Sequence, residues 1–280
     1  MKKTKRYASI IYLCLIFGIL YIPIMTLILF SFNESNSTAN FTGFSGQWYA
    51  ELFKSPETWA ALRNSLILAV SSSLLATLIG TAAAEGIYKM RNKYIKAAVN
   101  GVTNVPMMNP DIVTAMSMMI FFSAVTTILN TDDIGFVKMF IAHTTFCLPY
   151  VILSVLPRIN ELGDTLSEAA LDLGCTPIQA FFKVKLPNIM PGVISGMVLA
   201  FTMSLDDFVI SYFLADSNFQ TLPLLIYSMT KKKVTPDMYA LSTIVIVTVF
   251  VLLLISNLKS GKKLNLQLNK SKKRKGGAAK

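Results

Sequence analysis

The sequence predicts an all-α integral membrane protein with six transmembrane helices. The chain is 53% hydrophobic and 15% charged, with a mean hydropathy of +0.55. A soluble chain of this size rarely contains several uninterrupted apolar runs of the roughly 20 residues that cross a ~30 Å hydrocarbon core. Each run is expected to be helical, because lipid cannot satisfy unpaired backbone groups. The six runs lie at about 7–32, 62–86, 97–127, 136–157, 190–214 and 239–258.

The basic residues predict how the helices cross the membrane. Twenty of the 26 Lys and Arg residues precede the first run, follow the last run or lie in the second and fourth connections. The other six lie in the remaining connections or within two or three residues of them, at the ends of the adjoining runs: Lys54, Arg63, Lys138, Lys231, Lys232 and Lys233. Because Lys and Arg concentrate in cytoplasmic segments, we expect a multi-pass protein of the cell membrane with both termini in the cytoplasm. This distribution accounts for the net charge of +11 without nucleic acid as a partner.

The predicted segments follow one another along the chain. Residues 1–6 form a basic cytoplasmic start, and residues 7–61 contain the first transmembrane helix, an uncleaved anchor, and an outer loop. Residues 62–258 form the transmembrane domain. The Lys-rich residues 259–280 form a disordered cytoplasmic tail that is attracted to anionic membrane lipid. The three cysteines have the spacing of neither a disulfide framework nor a metal site. We therefore expect no metal and no cofactor.

The fourth connection, at 158–190, predicts two short helices joined by a sharp turn. The stretches Thr165–Glu168 and Thr176–Gln179 each fit a capping box, in which the first and fourth side chains satisfy backbone amides at a helix start. Gly174 is expected to end the first helix, because glycine accepts the left-handed conformation. Leu186-Pro187 is expected to end the second helix.

This connection resembles the EAA loop of ABC-importer permeases. Seven residues with the spacing of that motif carry the resemblance: Glu168, Ala169, Ala170, Gly174, Val184, Leu186 and Pro187. The usual motif has Ile where this chain has Val184, a conservative difference. The resemblance implies a loop that docks on an ATP-binding subunit. Small side chains allow close approach, the glycine turn sets the angle between the two helices, and a docked helix passes on motion as a rigid body.

The resemblance also implies fold and partners. It implies a type I ABC importer permease fold, a heterodimer with a second permease, two ATP-binding subunits and an extracytoplasmic substrate-binding protein. The chain contains no phosphate-binding loop of the form G-x-x-x-x-G-K-[ST]. ATP hydrolysis is therefore expected on a separate subunit, and this chain is not expected to be an enzyme.

Over nearly its whole length the chain is similar to the spermidine/putrescine permease branch, in its second, shorter type. The matching segments are Asn109–Val113, His143–Tyr150, Ser204–Phe208, Leu222-Pro223 and Ile226–Met229. This similarity implies a polyamine as the substrate, delivered by a polyamine-binding protein.

Three carboxylates lie within predicted transmembrane helices: Asp111, Asp206 and Asp207. Each costs about 2.5–3.5 kcal/mol at a helix centre, so each is a functional candidate. Because neighbouring residues on a helix point ~100° apart, we expect one of the adjacent pair to face the substrate path. The other is expected to cap a helix or to pair with a neighbouring helix. A structural alternative for Asp111 is a helix restart with Asn109 as the cap.

A path for a polyamine needs acceptors for ammonium groups along an otherwise weakly binding wall. The carboxylates supply charge-assisted acceptors, and four aromatic residues are expected to supply cation–π faces: Tyr150, Phe208, Tyr212 and Tyr227. His143, the only histidine, is expected to be a buried hydrogen-bonding residue rather than a ligand.

Two other functions remain open from the sequence. A stand-alone secondary transporter would use the membrane acids as ion sites, but it leaves the EAA pattern unexplained. An ABC permease for another small solute, such as an oxyanion or a sugar, shares the loop. The predicted helices favour a cation, because their buried charges are acids.

Overall fold

The structure is a computed structural model that describes residues 2–35, 40–130, 135–216, 219–232 and 237–251. Five helices in these ranges are long and apolar enough to cross a membrane: Ile10–Phe30, Pro56–Lys89, Asp111–Leu129, Gly135–Leu162 and Pro177–Asp206. A shorter apolar helix follows at Asp237–Val251. The all-α multi-pass architecture is thus confirmed, while the count of six spans remains a prediction. The end of the sixth predicted run and the tail at 259–280 lie outside the described residues.

The helices are numbered here in chain order. They are α1 (Lys2–Phe30), α2 (Gln47–Lys54), α3 (Pro56–Lys89), α4 (Lys93–Met108), α5 (Asp111–Leu129), α6 (Gly135–Leu162), α7 (Thr165–Asp172), α8 (Pro177–Ala180), α9 (Leu186–Asp206), α10 (Val209–Leu214), α11 (Leu222–Lys232) and α12 (Asp237–Val251). A π-helical turn, Phe181–Lys185, joins α8 to α9.

The chain divides into two units, of which the smaller contains the residues up to Ala60 together with Leu225–Phe250. In the connection after α1, the buried side chain of Asn33 accepts from the Thr42 amide at 2.9 Å and donates to the Asn40 carbonyl at 2.9 Å. The indole of Trp48 donates to the Asn33 carbonyl at 2.6 Å. These bonds connect Asn33 to residues 40–48, in a region where the sequence shows only a polar stretch.

The larger unit, Ala61–Leu224, has its core where α6 packs against α9. Gly192 on α9 makes this packing possible, since a Cβ atom there would lie 2.9 Å from the Ser154 carbonyl oxygen of α6. Small residues at such contacts let membrane helices approach closely. Across the same interface, the Cys147 thiol donates to the Ala200 carbonyl at 3.3 Å.

Two of the predicted runs are interrupted. The third, 97–127, contains two helices, because α4 ends at Met108 and α5 begins at Asp111. Proline removes one backbone donor and disfavours helical geometry in the preceding residue, so Asn109-Pro110 is extended. The fifth run begins earlier than predicted, at Pro177, and breaks after Asp206. Asp111 and Asp206 therefore lie at helix ends rather than in helix interiors.

Candidate functional site

The predicted coupling loop contains two helices joined by a glycine turn. After α7, Gly174 adopts a φ of +87°. The Cys175 amide donates to the Ala170 carbonyl at 3.0 Å, and the Gly174 amide donates to the Leu171 carbonyl at 2.9 Å. These two bonds form a Schellman motif, which ends a helix through a left-handed residue. A Cβ at Gly174 would meet nothing within 4 Å, so glycine is required for its backbone conformation and not for space.

Only one of the two predicted capping boxes is present. Thr176 accepts from the Gln179 amide at 3.3 Å, the Gln179 side chain accepts from the Thr176 amide at 3.1 Å, and Pro177 follows the cap. The prediction for Thr165 is wrong, since Thr165 is already helical and Asp164 is the cap residue. Asp164 makes no side-chain cap bond there; the Glu168 amide donates to its backbone carbonyl.

The prediction that Leu186-Pro187 ends the second helix is also wrong. The chain continues from α8 through the π-helical turn into α9, so Pro177–Asp206 is one 30-residue helical span. Pro187 directly follows the π-helical turn inside this span and does not end it. The coupling loop is therefore joined directly to a transmembrane helix.

Some of the EAA residues face the interior of the chain and others are exposed. Ala170 is buried within the chain, whereas Glu168 and Ala169 are exposed. Val184 and Leu186 are half-buried, and Leu186 packs against the core. Large apolar side chains beside the motif are exposed, namely Leu173, Ile178 and Phe182. An apolar surface of this kind on a charged loop is typical of a protein–protein contact.

The second cluster of predicted residues surrounds the break between α9 and α10. The Asp207 carboxylate accepts from the Ser211 amide at 2.9 Å and from the Ile210 amide at 3.3 Å, and so caps α10. This agrees with the expectation that one of the two adjacent acids caps a helix, because α10 begins two residues after Asp207. Asp206, the last residue of α9, is exposed.

A buried polar network holds Asp207 from the other side. His143 is fully buried, as predicted, and its Nδ1 lies 2.8 Å from Ser204 Oγ. Its Nε2 lies 3.4 Å from Ser211 Oγ and 3.5 Å from Asp207 Oδ2. Ser204 Oγ lies 3.0 Å from Ser72 Oγ on α3. The network thus joins α3, α6 and α9 to the helix break.

The remaining predicted residues lie in two places. Asp111 is exposed at the first position of α5, within electrostatic range of Asp207 and Tyr150. Asn109 ends α4 rather than capping α5, so the proposed cap is wrong while the helix restart is confirmed. The rings of Phe208 and Tyr212 lie 5.5 Å apart at the break. Tyr227 lies in the smaller unit, where the Lys231 ammonium is 4.8 Å from its ring centroid.

Sequence reasoning missed several residues of both clusters. Ser72, Ser204 and Ser211 are ordinary in composition, and only their contacts with the single histidine identify them. Glu85 and Lys185 form a buried ion pair at 2.8 Å beside the coupling loop. Glu85 is a carboxylate near the end of the second apolar run, and this signal was available in the sequence. Within the described residues, no cluster of His, Cys, Asp and Glu is arranged to hold a metal ion.

Comparison with known proteins relates this geometry to transport. Residues 76–258 match the family described as binding-protein-dependent transport system inner membrane component. The spermidine/putrescine transport system permease protein PotC of Haemophilus influenzae is 38% identical over 88% of this chain and 94% of its own length. PotC of Escherichia coli is 40% identical over 87% of this chain and 90% of its own. The putrescine transport system permease protein PotI of Escherichia coli is 36% identical over 85% of each chain.

Solved structures support the fold independently. A chain of a bacterial ABC transporter that imports the acidic polysaccharide alginate matches with a TM-score of 0.74 at 18% identity, over 93% of this chain and 98% of its own. A chain of the MetNI methionine ABC transporter matches with a TM-score of 0.60 at 19% identity, over 74% of this chain and 97% of its own. The helices described above therefore have the arrangement of an ABC-importer permease.

Proposed function

This chain belongs to the family of binding-protein-dependent transport system inner membrane components, and we propose that it forms part of the translocation path of an ATP-driven polyamine importer. The proposal of a polyamine substrate rests on the 36–40% identity to permeases named for spermidine and putrescine, over 85–88% of this chain. The fold resemblance to importers of alginate and methionine supports the class of transporter but not the substrate.

The geometry around the α9–α10 break supports a cationic substrate. Asp206 and Asp111 expose carboxylates at helix ends, and Asp207 lies behind them in the buried network. An ammonium group that leaves water requires such acceptors, and the rings of Phe208 and Tyr212 offer cation–π faces beside them. We assign Asp206 to the substrate path and Asp207 to capping, because only Asp207 is occupied by hydrogen bonds to α10.

The partners in this proposal are a second permease, two ATP-binding subunits and an extracytoplasmic polyamine-binding protein. The coupling loop presents its exposed apolar residues to an ATP-binding subunit. Movement of that subunit displaces α7 and α8, and this displacement is transmitted to α9. The distribution of basic residues supports a cytoplasmic loop and cytoplasmic termini. Asp206 then lies about 30 Å along α9 from Leu186, far from the cytoplasmic end.

The direct test is uptake of labelled spermidine and putrescine by proteoliposomes that contain the whole complex. We expect uptake that requires both ATP and the binding protein. Uptake driven by an ion gradient without ATP would indicate a secondary transporter instead. ATP-dependent uptake of a sugar or an oxyanion, with no polyamine uptake, would reassign the substrate and retain the importer class.

Asp206→Asn tests the assignment of the path residue. A hydrogen bond to a charged group contributes about 1.5–3 kcal/mol, so we expect polyamine uptake to fall about tenfold or more while subunit yield is unchanged. Glu51→Gln, which neutralises an exposed acid of the smaller unit, is the matched control and should transport normally. Wild-type uptake by the Asp206 variant would remove this residue from the path.

Gly174→Val tests the coupling loop. A side chain in the left-handed conformation costs about 1–2 kcal/mol, so the turn should distort and less ATP-binding subunit should co-purify with the inserted permease. Gly174→Asn is the matched variant, since asparagine tolerates this conformation and the site has open space. Equal co-purification with the Val and Asn variants would count against a role of this turn in docking.

A further inference from the structure

Lys185 is buried at the junction between the coupling loop and the membrane. It is the last residue of the π-helical turn that joins α8 to α9, and only 2% of its surface is exposed. Its ammonium lies 2.9 Å from Glu85 Oε1 and 2.8 Å from Glu85 Oε2, near the end of α3. An ammonium is costly to bury unless it is paired, so this single lysine depends on a partner from another helix.

The same ammonium contacts a third element. It lies 3.9 Å from Asp164 Oδ1, at the residue that precedes α7, and 4.4 Å from the ring centroid of Tyr88 on α3. One side chain thus joins α3, the start of the EAA helix and the start of α9. A buried ion pair adds little net stability compared with apolar residues of similar size. Stability alone is therefore a weak reason for this arrangement.

The Lys185–Glu85 ion pair lies beside a cleft and at the end of a π-helical turn. A cleft of about 770 Å³ is lined by residues from the end of α3, from the connection that follows it and from α7, among them Lys89, Arg91, Ser167 and Glu168. Glu85 and Lys185 form part of the lining of the same cleft. A π-helical turn inside a helix is rare and often marks a functional position.

We propose that Lys185 is a positioning residue for energy coupling, which makes the coupling loop, α3 and α9 move together when an ATP-binding subunit displaces the loop. The inference rests on the proposed importer function. A displacement of α8 that reaches an unsupported π-helical turn is absorbed there as bending. With Lys185 held by Glu85, the turn is fixed to α3, and the same displacement reaches both transmembrane helices.

The test uses the double variant Glu85→Gln/Lys185→Met in the whole complex. It removes the tie without leaving a buried charge unpaired. Lys89→Met is the matched control, because Lys89 also contacts Glu85, at 3.1 Å, but lies on α3 itself and is 66% exposed. We expect the double variant to assemble and hydrolyse ATP, with polyamine uptake per ATP hydrolysed reduced about fivefold or more. The control should keep the wild-type ratio.

A wild-type ratio in the double variant would overturn the proposal. If the double variant assembles poorly, Lys185→Met alone is measured in the same way, since Lys89 still neutralises Glu85 there. An unchanged ratio in that variant has the same meaning.

A second measurement does not depend on the substrate. Spin labels at Arg91 and Asp172, both exposed, report the distance from the end of α3 to the end of α7 with and without ATP. Cys14 and Cys175 are replaced by serine, and the buried Cys147 is retained. In the wild type we expect the same distance with and without ATP, and in the double variant a distance that changes when ATP is added. The same response to ATP in both proteins would overturn the proposal. If the wild type takes up no polyamine, the proposed function is contradicted. The distance comparison then still tests the role of Lys185, because it does not depend on the substrate.

Discussion

The two helix breaks of the larger unit, at Asn109-Pro110 and at Asp207-Phe208, differ in what maintains them. At the first break, Asn109 has ψ 145° and Pro110 has ψ 134°, both extended. Proline imposes this geometry on itself and on the preceding residue. The second break contains neither proline nor glycine. Its extended residue, Asp207 with ψ 120°, is held by bonds to α10 and by the buried histidine.

This difference shows that a membrane helix can be interrupted in two ways. One break is encoded in the residues that form it, and the other depends on side chains from helices distant in sequence. Backbone groups freed inside a bilayer require partners. At the second break, the Asp207 carboxylate supplies them for the first amides of α10. The second break is therefore expected to be more sensitive to single substitutions.

Among substitutions at the two breaks, Asp207→Ala is expected to have the largest effect on stability and uptake. It removes the cap of α10, worth about 1–2 kcal/mol, and also the neighbour of His143 Nε2. We expect a lower midpoint in denaturant unfolding and loss of polyamine uptake. Asp207→Asn is the control, since its amide oxygen still accepts one backbone bond and should preserve most of the stability. Equal loss of stability in both variants would show that charge, and not capping, maintains the break.

His143→Phe is expected to have a smaller effect. It fills similar space but removes the contacts to Ser204, Ser211 and Asp207, and interhelical hydrogen bonds in membranes contribute about 0.6–1.7 kcal/mol. The readout is the unfolding midpoint together with the apparent KM for polyamine uptake, which changes if Asp207 and its neighbours shift. Thr145→Val is the matched control on α6, because Thr145 is exposed and its hydroxyl bonds only within its own helix, to Ile141. The same midpoint and KM for both variants would contradict a role of the network.

Pro110→Ala is expected to have the smallest effect on stability. The Thr114 and Val113 amides already donate to the Pro110 carbonyl, so α5 keeps its first turn. Without the proline ring, α4 and α5 can join, and the amides of Asp111 and Ile112 gain helical partners. Hydrogen exchange measured by mass spectrometry should become slower at these two residues. Unchanged exchange would show that tertiary contacts, rather than the proline, maintain the first break.

Several features of the fold and the site were predictable because they depend on short-range chemistry. The apolar runs indicate membrane helices because backbone hydrogen bonds must be made within each segment. Gly174, the Thr176 cap and Pro110 each act within a few residues of themselves. The glycine turn and the second helix cap of the loop that resembles the EAA motif are local in the same sense, whereas its coupling role is implied by the resemblance alone.

The predictions that were wrong concern residues whose role depends on partners elsewhere in the chain. Leu186-Pro187 does not end a helix, because the chain continues from Pro177 through the π-helical turn into α9 without a break. The sequence did not show which of Asp206 and Asp207 is the cap, because a cap can be recognised only once the helix end is known. The first capping box is absent because Thr165 is already helical and Asp164, one residue earlier, is the cap residue of α7.

By itself the sequence determined the class of the protein, its apolar helices, the turn at Gly174 and the break at Pro110. These follow from hydrophobicity and from backbone chemistry of single residues. Only the tertiary structure decided that His143 joins Ser72 and Ser204 to Asp207, and that Lys185 is buried on Glu85. The partners in both cases are about 60–130 residues apart. Such contacts depend on how the helices pack, and no local pattern records which polar side chains will meet.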